Sequence, residues 1–315
     1  MFLTFDTCIY SNNRHLTRNL HKRTENGRLL AKIGKSIRGI VVLARPINCL
    51  LTAGSVVVGA VAGGLGGAPV DIAMAALAAA LITGAGNALN DVQDIEEDRI
   101  NQPQRPLPAG LVSPLAAIVM VGLLVVSGLG LAWWVSPVTG MIATAVALAL
   151  TGYSIWLKQT GPAGNILVAA LAATTFPYGA LVGGDLGRSW IPATFAFLYH
   201  LGREVVKGIE DMEGDQRRDI RTLALRESPI AAGRVTALLL GLVALLALLP
   251  WTVGIYGIGY GLPVVLLDAF ILAWFPQLWR GAPRGRLSRR LLVGMALGLL
   301  AICLGEVLEP LPPIP

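Results

Sequence analysis

Five carboxylates crowd one short stretch of the chain, Asp91, Asp94, Glu96, Glu97 and Asp98, inside NALNDVQDIEEDRINQPQRPLPAG at residues 87–110. If the apolar helix before them continues, Asp91, Asp94 and Asp98 share one stripe at i, i+3 and i+7. Asn90 then completes an i, i+4, i+8 row with Asp94 and Asp98. Like charges so spaced repel by roughly a few tenths of a kcal/mol per pair, so a set facing a pocket needs cations to neutralise it. Oxygen ligands without nearby His or Cys suit Mg²⁺, which takes one or two carboxylates and fills its other positions with water and phosphate. The plain alternative is a solvated acidic face at a helix end.

A second stretch, REVVKGIEDMEGDQRRDIRT at 203–222, repeats the pattern. Asp211 and Asp215 are an i, i+4 pair, Lys207 precedes Asp211 by four, and Glu204 extends that face. Windows 91–98 and 204–219 together hold 11 of the chain's 19 acids, and both follow directly from apolar segments. Two acidic helix ends converging on one mouth say more than either alone. Candidate substrate-binding groups surround them. Arg45 and Asn48 lie in LARPINCL, where polar side chains are costly against lipid and so turn inward; Arg45 can instead snorkel to the surface. Arg105 sits in a Pro-rich loop spanning 101–113. Tyr153 and Lys158 end the fourth apolar segment, where an interfacial belt and a topological anchor are the competing readings. Arg203 and Lys207 complete the group, whereas the lone His200 reads as a satisfied core residue.

These groups must be carried by membrane helices. Of the 315 residues, 54% are hydrophobic and only 14% charged, against about 25% charged in soluble domains. The expected fold is all-α, a polytopic bundle of nine transmembrane helices near 37–60, 70–90, 114–134, 138–157, 164–183, 190–207, 232–252, 257–277 and 288–307. Residues 1–36 form a basic N-terminal extension whose composition also suits a transit peptide, 37–308 the transmembrane domain, and 309–315 a Pro-rich tail. Lys and Arg concentrate before the first segment and in alternate links, while links 61–69, 135–137, 184–189 and 253–256 hold only Arg188. That bias predicts a multi-pass cell-membrane protein with the N-terminus and acidic mouth cytoplasmic and the C-terminus outside. The net charge of +6 then reflects topology and anionic lipid, with no nucleic acid implied. Cys8, Cys49 and Cys303 lack CxxC spacing, so no disulfide framework or thiolate site is expected.

A metal-bearing mouth over an apolar interior matches a polyprenyl diphosphate, with two or so Mg²⁺ neutralising the leaving group while the cavity shields an allylic cation from water. A transporter lined by acids is the reading from another class, but it would be expected to place charge near the midplane. At Asn90-Asp91-Val92-Gln93-Asp94-Ile95-Glu96-Glu97-Asp98 and Asp211-Met212-Glu213-Gly214-Asp215 the chain resembles the UbiA superfamily of intramembrane prenyltransferases, with its NDxxDxxxD and DxxxD motifs. The resemblance implies nine helices, metal ligation by Asn90, Asp91, Asp94, Asp98, Asp211 and Asp215, and catalytic roles for Asp94, Asp98, Asp211 and Asp215. Asn101…Arg105-Pro106-Leu107-Pro108-Ala109-Gly110, Tyr153-Ser154…Leu157-Lys158 and Arg203-Glu204…Lys207 look most like the branch that transfers a geranylgeranyl group to the hydroxyl of geranylgeranylglyceryl phosphate in ether-lipid synthesis. Gly208 and Val92-Gln93 depart from that branch, which leaves an aromatic or chlorophyll-type acceptor as the alternative.

Overall fold

Proline marks where most of the long helices start. The computed structural model describes residues 34–217, 220–283 and 285–308. The extension through residue 33 and the tail 309–315 lie outside the described residues, as do Arg218 and Asp219. Pro opens α2 (Pro46–Ala62), α3 (Pro69–Gln93), α5 (Pro114–Val135), α6 (Pro137–Ile155), α7 (Pro162–Ala173) and α12 (Pro229–Thr252), where the N–H it lacks would have had no partner in any case. Ser113, Ser136 and Ser228 cap α5, α6 and α12 by accepting from the N–H three residues on. The remaining helices are α1 (Gly34–Ala44), α4 (Ile95–Asn101), α8 (Thr175–Gly183), α9 (Trp190–Glu210), α10 (Met212–Arg217), α11 (Leu223–Arg226), α13 (Ile258–Trp279) and α14 (Leu287–Leu308). No strand occurs among the described residues.

Seven helical segments are long and apolar enough to cross a membrane, and α1 with α2 forms an eighth, bent by 41°. The expected count of nine is not reached on these grounds. Segment 190–207 does form a helix, α9, but Arg203, Glu204, Lys207 and Glu210 make it too polar to qualify. It is amphipathic rather than apolar all round, so it is stable in a bilayer only with its polar face covered.

Two expected segments are broken. Arg45 separates α1 from α2 in the left-handed region (φ 53°, ψ 72°), a conformation costing a non-Gly residue roughly 1–2 kcal/mol, and Pro46 after it cannot extend α1. Segment 164–183 divides into α7 and α8 at Thr174, three residues before Pro177 removes a donor.

Packing closes the helices into a ring. α2 lies against α3, α8 and α14, α3 against α5 and α6, α7 against α9, α9 against α12, and α13 between α12 and α14. The tightest crossing is α2 on α8, where Gly59 and Gly63 meet Phe176 and Ala180, and Gly179 and Gly183 meet Val56 and Ala60. A Cβ on Gly179 would stand 1.9 Å from the Val56 carbonyl oxygen, and one on Gly59 2.1 Å from that of Phe176. Small residues allow this approach, as is common where helices meet without a hydrophobic drive between them. The ring encloses a largely apolar cavity to which α2, α3, α6, α7, α8, α9, α12, α13 and α14 all contribute. At the far end from the acids, Arg188 pairs with buried Glu306 (2.9 Å), which also accepts from Tyr256.

Candidate active site

Helix α3 stops at Gln93, and Asp94 (φ −96°, ψ 10°) turns the chain before α4 resumes at Ile95. Backbone hydrogen bonds from Asp94 to Asn90 and from Asp98 to Asp94 keep the turn shallow. Asp91, Asp94 and Asp98 are all buried, but they do not form a single stripe. Arg45 Nη2 meets Asp91 Oδ1 at 2.5 Å, and Arg105 Nη1 reaches the same oxygen at 3.2 Å and Asp98 Oδ2 at 2.7 Å. Asp94 and Glu97 instead share Lys158 Nζ, at 2.5 and 2.9 Å. The bend at Asp94 divides the acids between two sets of cations. Burial works against the Lys158 ammonium, yet Asp94 and Glu97 outweigh it and hold the pKa above its ordinary value.

The second acidic motif begins where α9 ends. Asn101, at the last turn of α4, donates its amide N–H to the Asp211 carbonyl (3.0 Å) and accepts from the Gly214 N–H (3.1 Å), fastening α10 to α4. Gly214 leaves room for this, since a Cβ there would lie 2.3 Å from Asn101 Nδ2. Arg286 donates to the Asn101 carbonyl at 2.8 Å, and Glu210 accepts from the N–H and hydroxyl of Ser288 at 3.0 and 2.5 Å. Asp215 is buried, and Asp211 Oδ1 is buried with no hydrogen-bond partner among the described residues. Burial first, then Glu97, Asp211 and Asp94, push the Asp215 carboxyl up to about 7 against the pull of Lys158. Burial, with Asp91 and Asp94 and against Arg105, raises Asp98 to about 6. The first and second motifs therefore sit in one electrostatic field.

Lys207 does not follow the expected face toward Asp211. Its Nζ binds Glu204 Oε2 at 2.6 Å, while Arg203 Nη1 takes Glu204 Oε1 at 3.2 Å and Arg203 Nε donates to the Ser288 carbonyl at 3.0 Å. Arg45, Asn48, Asn90, Tyr153, Arg203 and Lys207 line the cavity. The five aspartates, Arg105 and Lys158 do not reach its wall; Arg45, paired with Asp91, links the two groups. Asn90 accepts a short hydrogen bond from Ser154. Sequence reading missed Glu97 and Glu204 as partners of the expected cations, and Asn101, Arg286 and Ser288 as the fastening between motifs. The i, i+3 spacing of Glu97 from Asp94 was a signal for Glu97; nothing in local spacing pointed to Arg286 or Ser288. His200, read as a core residue, lines the cavity.

Among the described residues no three acids, His or Cys converge closely enough to hold an ion alone. The donors nevertheless suit Mg²⁺. They are oxygens only, Asp211 Oδ1 is buried without a hydrogen bond and has Arg286 no nearer than 4.0 Å, and the burial and crowding that raise Asp98 and Asp215 are what a divalent cation offsets. Mg²⁺ needs only one or two carboxylates when a phosphate supplies further oxygens.

A ring of apolar helices around an apolar cavity, with paired acids and bases at its mouth, defines a multi-pass membrane protein. The profile of the UbiA prenyltransferase family matches residues 51–299. The chain belongs to that family and is a prenyltransferase. It is 36% identical over 292 residues to a digeranylgeranylglyceryl phosphate synthase of Hyperthermus butylicus, covering 85% of this chain and 97% of that one. To the synthase of the same name from Natronomonas pharaonis it is 39% identical over 255 residues, 78% of this chain and 87% of that one. A structure described as giving insights into digeranylgeranylglyceryl phosphate synthase in membranes superposes with a TM-score of 0.63 at 27% identity, covering 86% and 99%. A UbiA homolog from Archaeoglobus fulgidus bound to GPP and Mg²⁺ shares the fold, with a TM-score of 0.63 at 18% identity, covering 87% and 100%.

Proposed function

We propose that this protein transfers a geranylgeranyl group from its diphosphate to the free hydroxyl of geranylgeranylglyceryl phosphate, in ether-lipid synthesis. The observation that carries this reading is the apolar cavity beneath Arg45, Arg203 and Lys207, with both acidic motifs held against its mouth. The two synthases to which it is similar carry the name of that reaction. Residues 37–308 form the catalytic domain between the basic extension 1–36 and the tail 309–315. Helix α9 supplies the ninth crossing with its charged face inward, the N-terminus and mouth are cytoplasmic, and the C-terminus is outside.

Arg45, Arg203 and Lys207 bind the diphosphate head, and Asn48 and Tyr153 orient it. Two or so Mg²⁺, held by Asp94, Asp98, Asp211 and Asp215 with Asn90 and Asp91 beside them, would neutralise the leaving diphosphate and weaken its bond to C1. The apolar wall keeps water from the allylic carbon as positive charge develops there. Arg105 and Lys158 pair with the mouth acids and hold them in place, and contribute cations for the acceptor's own phosphate.

Purified protein given radiolabelled geranylgeranyl diphosphate, Mg²⁺ and a panel of acceptors is expected to favour geranylgeranylglyceryl phosphate. Removing that acceptor's phosphate should raise KM at least about tenfold, one good charged contact at ~1.4 kcal/mol. Preferred transfer to the ring carbon of 4-hydroxybenzoate, giving a product stable to ether cleavage, would overturn the acceptor and leave the enzyme class intact. Excess EDTA should stop turnover with either acceptor, because the buried acids cannot hold a polyanionic head without divalent cations; full turnover in EDTA would refute metal dependence.

A further inference from the structure

An ether synthesis from an alcohol must dispose of a proton, and the cavity offers few places for it. Among the described residues lining the cavity, Arg45, Arg203 and Lys207 are cationic donors that offer no acceptor atom. Asn48, Asn87 and Asn90 are amides, and the neutral hydroxyls of Ser, Thr and Tyr are too weakly basic to accept a proton near pH 7. Two lining residues remain that can take one, Glu204 and His200. Both oxygens of Glu204 are engaged, Oε1 by Arg203 and Oε2 by Lys207. His200 has no hydrogen-bond partner among the described residues, and it is the cavity that leaves it only partly buried.

Its position suits the chemistry. His200, Arg203, Glu204 and Lys207 lie on one face of α9 at i, i+3, i+4 and i+7, with His200 one turn deeper than Arg203, a rise of about 4.5 Å. The carbon that reacts is bonded directly to a diphosphate oxygen, so a head held by Arg203 and Lys207 places C1 about one turn further in. An acceptor hydroxyl approaching C1 comes to the level of His200.

We propose that the His200 imidazole receives the proton of the acceptor hydroxyl, an inference that rests on the alcohol-acceptor reading above. The bond from C1 to the diphosphate oxygen breaks, and its electron pair leaves with the diphosphate. A lone pair of the acceptor hydroxyl forms the new C1–O bond. The O–H bond then breaks, its pair stays on the ether oxygen, and the proton passes to the unprotonated ring nitrogen. An oxygen bonded to three groups is strongly acidic, so a weak base is sufficient. The imidazolium, one turn from the Arg203 charge and two from that of Lys207, returns its proton to water at the mouth before the next cycle.

The test compares His200→Gln, which keeps a polar side chain that cannot take a proton, and His200→Ala with the wild type in detergent, following ether product, diphosphate release and geranylgeranyl diphosphate binding. For His200→Gln, kcat for ether formation should fall about 30-fold or more, within the usual range for a general base, while binding of the prenyl diphosphate changes less than about twofold. Added imidazole should restore part of the His200→Ala rate, with substituted imidazoles ranking by basicity. Ether formation by His200→Gln within about threefold of wild type overturns the role, and so does a loss of rate and binding together with no rescue, which marks a packing residue. Wild-type protein that releases diphosphate yet makes no ether from geranylgeranylglyceryl phosphate defeats the acceptor reading and the His200 role with it. Ether made equally well by wild type and His200→Gln defeats His200 alone.

Discussion

Asp215→Ala is expected to lose prenyl transfer by about 100-fold or more, roughly 2.7 kcal/mol of barrier, without loss of folded protein. The side chain is buried among Lys158, Glu97, Asp211 and Asp94, whereas α10 is held in place by the Asn101 contacts to Asp211 and Gly214, which the substitution leaves alone. Stability should move the other way. The folded protein keeps the Asp215 proton up to about 7, against an ordinary value of 3.8. Ionisation therefore costs the folded state nothing below pH 3.8, progressively more up to pH 7, and a constant amount above it. Without metal and above pH 7, the variant should melt at or above the wild-type temperature. Thermal melts paired with transfer assays check both parts, and a variant keeping more than about a tenth of wild-type activity removes Asp215 from the reacting group. Asp94→Ala is expected to lose activity to a similar degree.

Gly179→Ala is expected to damage the fold itself. The new Cβ would lie 1.9 Å from the Val56 carbonyl oxygen and 2.8 Å from its carbon. These are backbone atoms that cannot rotate away, so α2 and α8 must separate and loosen the contacts of Gly59, Gly63 and Gly183 on the same seam. Overpacking of this kind costs typically 1–3 kcal/mol, and about 3 or more is expected where backbone blocks backbone. Since α2 carries Asn48 and starts directly after Arg45, activity should fall along with melting temperature. Gly122→Ala on α5, with nothing within 4 Å of its new Cβ, is the control and should be neutral or slightly stabilising. Equal melting temperatures for the two variants would refute the close crossing.

Much of this architecture was legible in the sequence because hydropathy is a local property. Segment 114–134 became α5 and 190–207 became α9 with small shifts at the ends. The breaks at Arg45 and Thr174 were not read, although Pro46 and Pro177 mark them, because averaging over an apolar run hides a single missing donor. The five aspartates of both motifs were legible from spacing, and of these all but Asp211 are buried. Their partners were not. Arg45 reaches Asp91 across 46 residues, Lys158 reaches Glu97 across 61, and Asn101 reaches Asp211 across 110, and no helical period encodes such separations. Lys207 shows the converse, since spacing offered Asp211 at i+4 and the fold selected Glu204 at i−3.

The amphipathic α9 also bears on how the chain enters the bilayer during synthesis. A charged residue at the middle of a helix opposes insertion by about 2.5–3.5 kcal/mol, so three of them weigh heavily when a single segment is presented to the translocon. Arg203 and Lys207 both bind Glu204, one and three residues away, so one charge is cancelled as soon as the helix winds. The rest of the polar face looks onto the cavity, where Arg203 finds its other partner in the Ser288 carbonyl of α14, made later. Stable integration of α9 therefore waits for sequence not yet translated, which makes this helix among the last parts of the bundle to settle.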